Sequence, residues 1–195
     1  MRRGWLALGC AAVLASTLSG CLFPLVAGGA VGATLVASDR RSTGTYVNDQ
    51  TIELKAGNQI STRLPTAHVN VTSFNQTVLM TGEVPSDEAR REAETIVRAL
   101  PNVRRVQNYT VVDVASTLGQ RNNDAWITAK VRGRLLDGKY ASQALKVVTE
   151  RGVVYLLGLV SHTEGDAATT VVSETSGVLK VVTLFEYISD VPSAQ

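Results

Sequence analysis

The chain has 195 residues, 45% hydrophobic and only 5% aromatic, with two cysteines and a formal charge of +2. Arg2 and Arg3 lie in a stretch that reads as a removable leader, and without residues 1–20 there remain 17 basic residues against 17 acidic ones. A neutral mature chain has no global basic field for nucleic acid, and Cys10 leaves with the leader, so no disulfide is expected.

The leader runs from Arg2-Arg3 through an apolar segment, Trp5 to Leu18, to the small residues Ser19 and Gly20. That is the order of a signal peptide, too short to span a bilayer. Leu18-Ser19-Gly20-Cys21 resembles the bacterial lipobox. The resemblance implies that residues 1–20 are removed and that Cys21 becomes the N-terminus. It also implies that Cys21 carries a diacylglycerol and an N-acyl chain, the only non-protein group expected. Leu22 stands where an Asp would signal inner-membrane retention, so the expected place is the periplasmic face of the outer membrane. Residues 21–48 read as the lipidated N-terminus and a tether. Its apolar part, Leu22 to Val36, is broken by Pro24, Gly28, Gly29 and Gly32 and is short for a membrane span.

From Asp49 the chain repeats itself. Asp49, Ile52 and Lys55 return as Asp124, Ile127 and Lys130 at an offset of 75. Val71, Val78, Gly82 and Val84 return as Val147, Val154, Gly158 and Val160 at an offset of 76. Val103 and Val106 return as Val178 and Val181, again at 75. Each copy reads as helix, strand, strand, helix, strand. Ile52, Ala56 and Ile60, then Ile127, Val131 and Leu135, give each opening helix one apolar face. The paired strands are Val69–Ser73 with Thr77–Thr81, and Lys146–Thr149 with Val153–Leu157. Asn75-Gln76 and Arg151-Gly152 sit at the hairpin turns. Ser86 is the expected N-cap of the second helix, followed by Asp87 and Glu88; its counterpart begins near Thr163 and stops near Gly177. The closing strands are Val103–Val112 and Leu179–Ile188.

A strand ending in Gly-x-Val, a helix, and then Val-x-x-Val occur twice: Val78 to Val84 with Val103 to Val106, and Val154 to Val160 with Val178 to Val181. This resembles the BON domain. Lipobox, tether and two copies together resemble the dual-BON outer-membrane lipoproteins. The fold class implied is α+β, two tandem BON domains, each a three-stranded sheet with two helices on one side. The organisation expected is domain 1 at 49–112, linker 113–123, domain 2 at 124–190 and tail 191–195. The first copy departs from the motif at Pro101-Asn102, where a glycine is usual. Gly165 interrupts the second helix of copy two. The resemblance implies a non-enzymatic protein that binds anionic phospholipid through its second BON domain and supports envelope integrity and cell division.

The residues themselves offer little to an enzyme. His68 and His162 stand apart, at a strand start and before a helix, and read as ordinary solvated positions with no catalytic or metal role. The informative constellation is the opening helix of copy two. Trp126, Ala129, Gly133 and Leu136 gather on a face away from the core. Lys130 and Arg134 lie beside Trp126, and Arg132 lies toward the other edge. Such a face suits a bilayer interface, where indole sits at headgroup depth and cations meet lipid phosphate. In the first copy Thr51 and Gln59 replace Trp126 and Arg134. The expected phospholipid contact is Trp126, Lys130, Arg132, Gly133, Arg134 and Leu136, with Tyr140 either joining it or covering a core edge. Two alternatives stay open at this level. Trp126 could pack against the first copy or the linker. The same face could instead serve an adaptor that regulates an envelope-assembly, peptidoglycan-remodelling or division partner.

Overall fold

The computed structural model describes residues 39–136 and 144–189. The leader, Cys21, residues 21–38 of the tether, Tyr140 and the tail 191–195 lie outside the described residues. The first half contains α1 (Thr43–Arg63), β1 (His68–Phe74), β2 (Thr77–Val84), α2 (Asp87–Arg98), β3 (Arg105–Asn108) and β4 (Val111–Val112). The second contains α3 (Leu118–Leu136), β5 (Leu145–Glu150), β6 (Val153–Val160), α4 (His162–Ser173) and β7 (Lys180–Tyr187). The expected order of elements appears twice.

β1 and β2 form an antiparallel hairpin, and β3 and β4 run parallel to β2. β5 and β6 repeat the hairpin, and β7 runs parallel to β6. Each parallel pairing is reached by a helix, as a parallel crossover requires. Both helices of a domain pack on one face of its sheet. Ile52, Ala56 and Ile60 of α1 meet Val78 and Met80 of β2, and Ile96 and Val97 of α2. Ile127, Val131 and Leu135 of α3 meet Val154 and Leu156 of β6, and Ala168 and Val172 of α4.

The second face of each sheet is also buried. Phe74, Leu79, Tyr155 and Leu157 form a third core, flanked by Val148, Val153, Leu159, Val182 and Leu184. The two sheets therefore pack face to face, giving four layers: helices, sheet, sheet, helices. All eight residues of β2 are buried. Leu79 and Leu157 are each 1% exposed, and burying a leucine that fully contributes roughly 1.5–3 kcal/mol. Burial also pushes the Tyr155 phenol up to about 12. Small domains with little margin of their own thus share one core.

Two buried carboxylates build the hairpin turns. Asp49 accepts hydrogen bonds from the Asn75 and Gln76 N–H groups, both at 2.8 Å, and from Ser73 Oγ at 2.7 Å. Asp124 accepts from the Arg151 and Gly152 N–H groups at 2.7 and 2.9 Å. All four turn residues have positive φ, between 49° and 74°, as a tight hairpin turn demands. Three of the four are not glycine, and the aspartates hold that backbone in place. The repeat glycines answer a different need. A Cβ on Gly82 would lie 2.0 Å from the His68 carbonyl oxygen, and one on Gly158 would lie 2.8 Å from the Ala144 carbonyl oxygen.

Several details differ from the sequence reading. α1 starts at Thr43, capped by Ser42, within the stretch read as tether. α3 starts at Leu118, within the stretch read as linker, where the Thr117 and Gln120 side chains cap each other's backbone N–H groups. The opening turns of both helices lack the buried apolar period that marks their middles. The first closing strand splits into β3 and β4. α4 begins at His162 behind a Ser161–Glu164 capping box and ends at Ser173 with Glu174 as its C-cap. Gly177 lies beyond that cap, in the following turn, with φ +96°. Asn102 adopts φ 66° at the matching place, a conformation asparagine tolerates better than most residues. Gly165 has a packing reason: a Cβ there would stand 3.1 Å from the Phe185 ring.

Candidate functional site

The outer face of α3 is the largest apolar contrast between the two halves. Trp126 is 66% exposed, Leu136 69% and Leu118 76%. Ala125, Ala129 and Gly133 are exposed between them, and among the described residues nothing lies within 4 Å of a Cβ placed on Gly133. Trp126 does not pack against the first copy or the linker. Its indole stands clear while Ile127, one residue on, is 1% exposed. The matching face of α1 carries Gln50, Thr51, Asn58 and Ser61, with Val47 and Leu54 as its exposed apolar residues.

The flanking cations are partly engaged. Lys130 donates to the Ser176 carbonyl. Arg134 donates to Thr175 Oγ1 at 3.2 Å and meets Glu174 at 3.5 Å. Arg132 donates to the Val147 carbonyl at 3.4 Å. The Arg132 and Arg134 contacts are long, and the Arg134–Glu174 pair is exposed, where ion pairs contribute little. A groove between α3 and β5 is lined by Arg132, Leu136, Leu145 and Lys146.

A second polar site lies between the sheets. His68 is not a solvated strand-start residue: it is a register partner of Glu83, and its Nδ1 lies 2.9 Å from Glu83 Oε2. The Ser116 N–H donates to the same oxygen at 3.1 Å. Burial works against ionising Glu83, but these hydrogen bonds and the imidazole hold its carboxyl below its ordinary value. Glu150, from the other domain, accepts from Asn70 Nδ2 at 2.9 Å. Burial, with the Glu83 charge adding to it, raises its carboxyl above the ordinary range. His162 remains at the surface, its ring stacked on Tyr187 at 3.8 Å. Sequence reading missed the junction because its members are 15 and 67 residues apart in order, with nothing local to join them.

A third set of contacts ties the start of the described chain to both domains. Arg40 donates to both Glu164 oxygens at 2.7 Å and to the Leu159 carbonyl at 2.9 Å. Arg41 donates to Asp49 at 2.7 Å and stacks over Phe74, 4.2 Å from the ring centre.

Two copies of one helix–hairpin–helix–strand unit, one of them with an exposed Trp face, define the class. The BON domain model matches residues 48–114 and 123–189. The chain is 34% identical over 175 residues to "Outer membrane lipoprotein DolP" of Haemophilus influenzae, covering 88% of this chain and 90% of that one. It is 30% identical over 154 residues to "21 kDa hemolysin" of Actinobacillus pleuropneumoniae, covering 77% and 79%. A solved structure of CdsD, a structural protein of the type III secretion system of Chlamydia trachomatis, aligns at 15% identity with a TM-score of 0.29, covering 73% of this chain and 92% of that one. The chain belongs to the BON-domain family, as a dual-BON outer-membrane lipoprotein of the DolP type. Among the described residues no helix is long and apolar enough to cross a membrane.

Proposed function

We propose that this lipoprotein is a non-enzymatic module that binds anionic phospholipid through the outer face of α3, while acyl chains on Cys21 hold it at the outer membrane. The observation that carries the reading is the exposure of Trp126, Leu118 and Leu136 on one helix face, with open space over Gly133. Trp126 enters the headgroup layer, and Leu136 adds apolar contact. Lys130, Arg132 and Arg134 exchange their internal partners for lipid phosphates, each attracted by roughly 1 kcal/mol. The lipid anchor already retains the protein, so this contact selects where on the membrane it settles. Support of envelope integrity and cell division follows from that placement. The test uses residues 36–195, without Cys21, and vesicles with or without phosphatidylglycerol. Binding is expected only with the anionic lipid and is expected to weaken with salt. Trp126→Glu should lose it while keeping the melting temperature. Equal binding by that variant would overturn the reading, and crosslinking of the face to a protein with no affinity for lipid would favour an adaptor instead.

A further inference from the structure

The polar junction between the sheets has the makings of a metal site. His68 opens β1, Glu83 opposes it on β2, and Glu150 closes β5 in the other domain. One donor atom from each lies within 4.8 Å of the other two. The Glu83 side chain has no exposure, and among the described residues its Oε1 has no hydrogen-bond donor. The nearest cation is Arg151, 3.6 Å away and itself drawn to Asp113 at 2.8 Å. A buried carboxylate oxygen left without a donor is costly, and two carboxylates this close repel. Asn70 and Thr81, another register pair, donate to Glu150 Oε2 and aim that carboxylate into the junction.

We propose that His68, Glu83 and Glu150 bind a divalent transition-metal ion, zinc by their donor chemistry, between the two BON domains. One neutral imidazole and two carboxylates cancel the charge of a divalent ion. Nitrogen and oxygen donors of this kind suit zinc at about 2.0–2.2 Å, with a fourth position left for water. The ion takes the place of the His68–Glu83 hydrogen bond and gives Glu83 Oε1 a partner. It loosens the long Arg151 contact, and Asp113 keeps that guanidinium paired. Arg121, the other cation beside the cluster, donates to Ser116 Oγ at 3.1 Å and is undisturbed. Because the ligands come from both domains, the bound ion staples one sheet to the other.

The experiment is a titration of tag-free full chain in detergent micelles with zinc chloride, after removal of metal by a chelator. Calorimetry and the metal retained on dialysis read the affinity and stoichiometry. One zinc per chain and a raised melting temperature are expected. His68→Ala and Glu150→Gln should each weaken binding at least ~10-fold, whereas His162→Ala should bind as the parent does. X-ray absorption at the zinc edge should show a single imidazole among oxygen ligands. Should His68→Ala fail to fold, Glu150→Gln and the absorption spectrum still decide. No stoichiometric binding in an excess of zinc, or equal binding by Glu150→Gln, would overturn the proposal.

Discussion

The two opening helices, α1 and α3, are the same device put to different uses. Each turns three aliphatic residues spaced by four into its own domain's core, and each clasps a hairpin turn through a buried aspartate. They diverge on the side that faces water. Thr51, Gln59 and Ser61 of α1 correspond to Trp126, Arg134 and Leu136 of α3. A duplicated fold keeps its inner face by the demands of packing and is free to change its outer one, so the difference between copies points to function more directly than either copy alone.

The comparison can first be broken at the clasps. Asp49 accepts four hydrogen bonds, one from Arg41, whereas Asp124 accepts two from the backbone. Removing a buried acceptor strands its donors. Asp49→Ala should cost about 4 kcal/mol and Asp124→Ala about 2 kcal/mol, measured by urea unfolding; equal losses would show that the extra bonds do not matter. A graft sharpens the contrast next. Thr51→Trp with Gln59→Arg gives α1 a copy of the lipid face, worth roughly 1 kcal/mol per added cation. Since α1 and α3 lie in opposite outer layers, this variant should bridge anionic vesicles and raise turbidity. Adding Trp126→Glu should abolish bridging but leave binding.

A smaller effect separates the second helices. Arg40 hydrogen bonds hold the Glu164 carboxyl below its ordinary 4.5, whereas the matching residue of the first domain is Ala89. The folded protein thus prefers the ionised form, and the resulting stability is complete above pH 4.5 and lost as the pH falls through the lowered folded value. Glu164→Gln should melt below the parent at pH 7, and the gap should close on acidification. The smallest expected change is Gly133→Ala. With open space over that position, the variant should gain up to about 1 kcal/mol in helix stability and retain vesicle binding.

The helical and hairpin parts of the fold were legible because their signals are local: spacing by four in α1 and α3, and turn residues between short apolar strands. The sheet-on-sheet layer was not. Its one trace is the unbroken apolar run Val153 to Val160, which marks a strand buried on both faces, but such a run does not name what covers it. Asp49 and Asp124 were visible as repeated letters, and their role was not, because their partners lie 24 to 28 residues on. Trp126 was legible as a difference between copies. Whether it stood clear of the protein depended on where the first domain sat, and the shared core puts that domain on the opposite face of the second domain's sheet.

Arg40 and Arg41 occupy the point at which the tether joins the fold, and each grips a different domain. A load arriving along the tether therefore reaches both domains together, through Glu164 and Asp49, instead of peeling α1 away first. The coupling resists a pull in shear across two ion pairs and an aromatic stack.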